Sequence, residues 1–225
     1  MFPVFDVVEI AQEAAERAGV DFRAGYDLRS ARRSIELLSI EWGNRGLNLW
    51  TIETGVIDLK KGVWEYSLPD DTIDLIEHNV RWLSLDSGGP SDFPLVRLST
   101  DEYSIIPGKL HPGRPNSIHI KRRILPSVLL WPVPDRDNYY QLSYARLRRM
   151  ASVGAGGTGV PELPWRFVPA MIAGVAFYFA LKSKDPTAQQ RLPFLKTAYD
   201  EQFTLASDED RDRASVKWVP WGYQA

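Results

Sequence analysis

Apolar residues recur at helical spacing near both ends of the chain and at strand spacing between them. Phe5, Val8, Ala11, Gln12 and Ala15 share one helical face, and Gly19 can take the left-handed conformation that ends a helix. A first helix is therefore expected from about Asp6 to Ala18. The second is better specified, because Leu28, Ala31, Ile35, Leu38 and Trp42 form one stripe at spacings of three and four. Asp27 can cap it, Gly46 can end it, and Arg32 with Glu36 offers an i, i+4 ion pair. Arg29 and Arg33 lie off the stripe, where a solvated face, a subunit contact or a phosphate contact would each suit them.

From Leu49 onward the pattern shortens to β-rich stretches at about 49–59, 63–68, 73–85, 94–98, 117–122, 128–131 and 139–146. Trp64, Tyr66 and Leu68 alternate, as do Tyr140, Leu142 and Tyr144. Lys61-Gly62 and Ser87-Gly88-Gly89-Pro90 read as hairpin turns. Ser99 to Ile106 reads as a short helix capped by Ser99 or Thr100 and stopped by Pro107-Gly108. Helical spacing returns after Val160, where Phe167, Met171, Ile172, Val175 and Phe179 sit beside Ala170, Ala173, Gly174 and Ala176. Such small residues allow close helix approach. Asp185-Pro186 then reads as a cap and first-turn proline for a last helix carrying Leu192, Leu195, Tyr199 and Phe203, with Pro193 kinking it or delaying its start.

The expected fold is α+β: a helical bundle built from the N- and C-terminal helix pairs, an inserted small antiparallel β domain, and an extended tail. The expected boundaries are 1–48, 49–152, 153–206 and 207–225. The tail differs from an ordinary solvated terminus. It carries Trp218, Trp221 and Tyr223 after a charged run, and large aromatics are the side chains that anchor interfaces. It either docks on a partner or folds back on its own subunit.

Composition narrows the function. The chain has 225 residues, 44% of them hydrophobic and 25% charged, enough for a full core. Its formal charge of -2 gives no global field for nucleic acid, so any DNA contact must be local. Cys is absent, which excludes disulfides and thiolate chemistry and suits folding in a reducing cytoplasm. The N-terminus lacks the basic segment of a secretory signal. The apolar run Phe167 to Leu181 is shorter than the roughly 20 residues of a membrane span, so a buried core helix is expected.

Signals of catalysis are weak. Gly154, Gly156 and Gly159 satisfy G-x-G-x-x-G, yet Pro161 and Pro164 follow where a helix should open, so a linker is the better reading. His78, His111 and His119 lack ligand spacing, and Asp70-Asp71 reads as a charged turn. No catalytic, cofactor-binding or metal-binding residue is assigned, and no cofactor is expected. Two basic clusters, Lys121-Arg122-Arg123 and Arg146, Arg148, Arg149, leave a subunit or DNA contact open at Arg122, Arg123, Arg148 and Arg149.

The stretches Leu28 to Leu38, Glu41-Trp-Gly-Asn-Arg-Gly to Trp50, Gly62-Val-Trp-Glu-Tyr-Ser-Leu-Pro-Asp70, Glu102-Tyr103 to Ile106-Pro107, Gly113-Arg-Pro115 and Leu130-Trp-Pro-Val-Pro-Asp135 follow one another in an order that resembles the adaptor, or head-to-tail connector, proteins of tailed bacteriophages, especially short-tailed ones. Val160-Pro161 to Pro164-Trp165 before an Ala/Gly-rich helix is similar too. The resemblance covers about residues 20–205. It implies a non-enzymatic virion protein, made in the host cytoplasm and placed at the head–tail junction. It implies a homo-oligomeric ring, commonly dodecameric, beneath the portal protein, extending the channel for genomic DNA and presenting a platform for a tail nozzle or tail-tube protein. No membrane partner is implied. The C-terminal segment of such adaptors often reaches the portal, which assigns Trp218, Trp221 and Tyr223 a portal-docking role here. A tail-tube or head-completion protein, and a DNA-binding or DNA-processing protein using the basic clusters, are the other readings.

Overall fold

The computed structural model describes residues 5–23, 25–47, 49–83, 89–153 and 159–209. The chain is mixed α+β and divides into two compact units, one formed by residues 1–47 with 151–225 and the other by residues 48–150. Trp218, Trp221 and Tyr223, expected to dock on the portal, lie outside the described residues.

In the first unit, α1 (Val7–Ala18) opens on a reciprocal cap, in which the Glu9 N–H donates to the Asp6 carboxylate at 2.7 Å and the Asp6 N–H donates to Glu9 at 3.1 Å. Gly19, at φ 70°, closes it in the left-handed region. Next comes α2 (Asp27–Asn44), whose cap differs from expectation. Asp27 lies inside the helix, and its carboxylate accepts the Arg23 N–H at 2.6 Å, tightening the incoming turn instead of capping the helix. Ala31, Ser34, Ile35, Leu38 and Trp42 are its buried face.

The C-terminal part contributes α4 (Val168–Lys182), α5 (Pro186–Gln190) and α6 (Leu192–Glu209). Asp185 caps α5 by accepting from the Thr187 N–H at 2.8 Å. The helix breaks at Arg191, and Pro193 falls in the first turn of α6, where its missing N–H costs least. Helix α4 is apolar almost all round because α1, α2 and α6 all pack on it. It is the one described helix that, with the turn before it, is long and apolar enough to cross a membrane, and its packing accounts for that composition.

Three contacts fix these helices. Gly174 lets α4 approach α2 and α6, since a Cβ there would lie 2.8 Å from Leu38 and 3.1 Å from Tyr199. Trp42 is fully buried among Phe167 and Phe203, with ring centroids 5.3 and 6.0 Å away. Its indole N–H donates to the Tyr199 hydroxyl at 2.9 Å, and that hydroxyl donates to Glu41 at 3.2 Å. At the far end of α4, Lys182 donates to the buried Ser34 hydroxyl at 2.8 Å.

The second unit holds β1 (Ile52–Asp58), β2 (Glu65–Ser67), β3 (Thr72–Trp82), β4 (Ser91–Pro94), β5 (Val96–Arg97), α3 (Thr100–Ser104), β6 (Pro112–Gly113), β7 (Ser117–Lys121), β8 (Ser127–Trp131), β9 (Val133–Pro134) and β10 (Tyr140–Arg148). One sheet runs β1-β10-β3-β4 and another β2-β8-β7-β5, with a small β6-β9 pair. Most pairings are antiparallel, but β5 with β7 and β6 with β9 are parallel. Side chains from both four-stranded sheets meet in one core, with Leu75, Val80, Tyr140, Leu142 and Tyr144 from the first and Tyr66, Ile118, Ile120, Val128 and Leu130 from the second.

Lys61-Gly62 is a turn but not a hairpin. It carries the chain from β1 in one sheet to β2 in the other, and the two strands do not pair. Strand β4 begins three residues ahead of the stretch expected at 94–98 and shares only Pro94 with it. It survives as an edge strand, where the missing proline donor is tolerated. Helix α3 begins as expected, with Ser99 and Glu102 exchanging bonds at 2.7 and 3.2 Å.

Candidate interaction surfaces

The two basic clusters both fall in the β unit, and each is laced to carboxylates of the same unit. Arg146 is central to the second cluster. It sits between two register shifts of β10 against β3, and its side chain is only 11% exposed. There it donates to Asp71 at 2.5 Å, Thr72 at 2.9 Å and Glu53 at 2.8 Å. Glu53 also receives Arg148 at 2.5 Å. The exposed Arg149 side chain donates to the Asp70 carbonyl at 2.8 Å, and its N–H donates to the Asp71 carbonyl. The electrostatic consequence is direct: hydrogen bonds from Arg148 and Arg146 hold the Glu53 carboxyl below its ordinary range, and Arg146 does the same for Asp71. Asp70-Asp71 is thus a structural turn whose second member is an ion-pair partner.

The first cluster is assembled differently. Lys121 donates to Glu65 at 2.9 Å, and Ser127 donates to the same carboxylate at 2.8 Å. Those bonds hold Glu65 below its ordinary range. Asp74 on β3 accepts from Arg97 at 2.8 Å and from Arg122 as well. Sequence reasoning missed Asp74, because its spacing from either arginine carries no local signal and only the fold brings the three together. Arg123 is exposed and has no ion pair among the described residues. The structure therefore brings Arg122 and Arg123 to one hairpin connection and Arg148 and Arg149 to the end of β10.

The histidines do not converge. His119 lies in β7 with its Nδ1 3.0 Å from the Leu98 carbonyl and its ring stacked on Tyr103 at 5.4 Å, while His111 is exposed in a loop. No grouping of His, Cys, Asp and Glu suited to a metal ion occurs among the described residues. Gly154 and Gly156 lie outside the described residues, and the carbonyl of Gly159 accepts the Val7 N–H at 3.1 Å.

In the helical unit the notable surface is apolar. Leu37 and Ile40 on α2 and Leu205 on α6 are exposed, and Phe194 is 79% exposed. Each lies off the buried stripe of its helix, a signal present in the sequence but overlooked beside the stronger core pattern. Arg33 on α2 and Glu201 on α6 are exposed within these faces and form no ion pair with any described residue. An exposed helix face that mixes aliphatic, aromatic and unpaired charged groups is suited to a protein contact.

A comparison with curated proteins finds no match for the chain. A family model does match: the one described as SU10 adaptor protein, over residues 6–220. That span includes both units and every surface described above. The chain belongs to the SU10 adaptor protein family, a phage adaptor family whose members are structural parts of the virion at the head–tail junction.

Proposed function

We propose that this protein assembles as a ring, a dodecamer as in related adaptors, beneath the portal, where it extends the DNA channel and presents the platform on which a tail nozzle or tail tube is built. The observation that carries the reading is the family match across residues 6–220, which takes in the helices and the β unit alike. Two features of the chain support it. The outer faces of α2 and α6 offer opposite charges, Arg33 and Glu201, beside the aliphatic and aromatic groups Ile40 and Phe194. A ring needs two different faces of this kind on each subunit, one for each neighbour. The β unit also neutralises much of its own basic charge through Glu53, Glu65, Asp71 and Asp74, which suits a passage through which DNA must slide.

In this reading Trp218, Trp221 and Tyr223 dock on the portal. Large aromatic side chains suit that role, because each can bury a large apolar area at an interface. The test is deletion of residues 214–225, followed by helical circular dichroism and by electron microscopy with purified portal. The truncated chain is expected to keep its fold and leave portals bare. Normal portal occupancy without the tail would overturn the docking role.

A further inference from the structure

Beyond the portal ring, the tip of the β7–β8 hairpin carries an arrangement the adaptor reading leaves unused. A cleft of about 520 Å³ lies beside it, lined by Arg97, His119 and the run Lys121-Arg122-Arg123 together with the Ser99 and Thr100 segment. Four cations face three carboxylates there: Asp74 serves both Arg97 and Arg122, Glu65 serves Lys121 and also feels the charge of Arg123, and Glu102 is held on the Ser99 N–H. Arg123 has no ion pair among the described residues. The cleft therefore keeps an excess of positive charge. Immediately after Arg123 come Ile124 and Leu125, 92% and 69% exposed, at the hairpin tip.

We propose that this tip and cleft bind an acidic protein segment that also buries Ile124 and Leu125. The charge excess calls for an anionic ligand, and the two aliphatic side chains decide its class. Nucleic acid would use the cations but leave the aliphatic tip in water, and single strands would require exposed aromatic rings to stack on. Tyr103, beside the cleft, is already buried against His119. A protein partner meets both demands, since interfaces combine an apolar centre with charged groups, arginine prominent among them. Carboxylates fit the cleft because arginine forks bind them in two-bonded geometry.

The experiment uses the full chain and fluorescence anisotropy with four labelled probes: a peptide of repeating Glu-Leu-Ser, the same peptide with Gln for Glu, the same with Ser for Leu, and duplex DNA. The Glu-Leu-Ser peptide is expected to bind most tightly. Arg123→Ala and Ile124→Ser are each expected to weaken it at least about fivefold, the effect of losing about 1 kcal/mol. Both residues are exposed, so the variants should fold, which circular dichroism checks. Tightest binding to duplex DNA, absence of peptide binding, or unchanged binding in both variants would each overturn the proposal. Portal rings formed by Arg123→Ala would show that any such failure is separate from the ring reading.

Discussion

Replacing Tyr199 with phenylalanine removes one oxygen from the centre of the helical unit. Trp42 is fully buried and its indole N–H has that oxygen as its hydrogen-bond acceptor at 2.9 Å. Tyr199 is itself 2% exposed, so water cannot take the hydroxyl's place without opening the packing of α2 against α6. Leaving a buried N–H unpaired costs about 1–3 kcal/mol. The other partner, Glu41, is buffered, because it also accepts from Arg45 at 2.5 Å and is partly exposed. The loss should therefore trace to Trp42, and a double-mutant cycle separates it. Trp42→Phe alone removes the donor and some ring contact with Phe167 and Phe203. Once the donor is gone, Tyr199→Phe should cost much less, giving a coupling of about 1 kcal/mol or more. Urea unfolding followed by far-ultraviolet circular dichroism is the assay, since eight tryptophans would blur a fluorescence signal. Additivity within about 0.3 kcal/mol would refute the claim that this bond couples α2 to α6.

Other outcomes follow from the same contacts. Gly174→Ala places a methyl group 2.8 Å from Leu38, and overpacking of this kind should lower stability by about 1–3 kcal/mol, measured by urea midpoint; an unchanged midpoint would mean that α4 is not held as close as described. Glu53, Glu65 and Asp71 have carboxyls held below their ordinary range, so their stabilisation is complete above the ordinary carboxyl pKa of about 4 and is lost as pH falls through the lower folded values. The urea midpoint should therefore drop on acidification, and Arg146→Met should flatten that dependence; equal slopes in the two proteins would contradict it. Ile40→Glu and Phe194→Glu alter exposed positions, so sedimentation should find folded subunits that no longer close into rings, whereas intact rings would exclude these faces from the subunit contact.

Much of the fold was legible because it rests on local signals. The stripe from Ala31 to Trp42, the Ser99 cap and the Asp185-Pro186 start each depend on residues within a turn or two of one another. The sheet pairing was not legible. Lys61-Gly62 has hairpin chemistry, yet β1 pairs with β10 and β2 with β8, a choice made by the shared core of the two sheets. The first three residues of β4 were hidden for a related reason, since only the edge position beside β3 makes a strand of a segment that holds Asp92. The basic residues were visible from the start, but not their neutralisation, because Arg146 meets Asp71 and Glu53 across 75 and 93 residues of sequence. Exposed apolar positions such as Leu37 and Ile124 were written in the sequence throughout. Only the fold shows that they face outward, since the same residue types also fill the core.

Whether this chain is a ring-forming adaptor seated on the portal is decided by electron microscopy of the protein mixed with purified portal. Closed rings of this protein, coaxial with the portal and continuous with its channel, are expected. Bare portals beside dispersed subunits, with the protein in excess and folded, would contradict it.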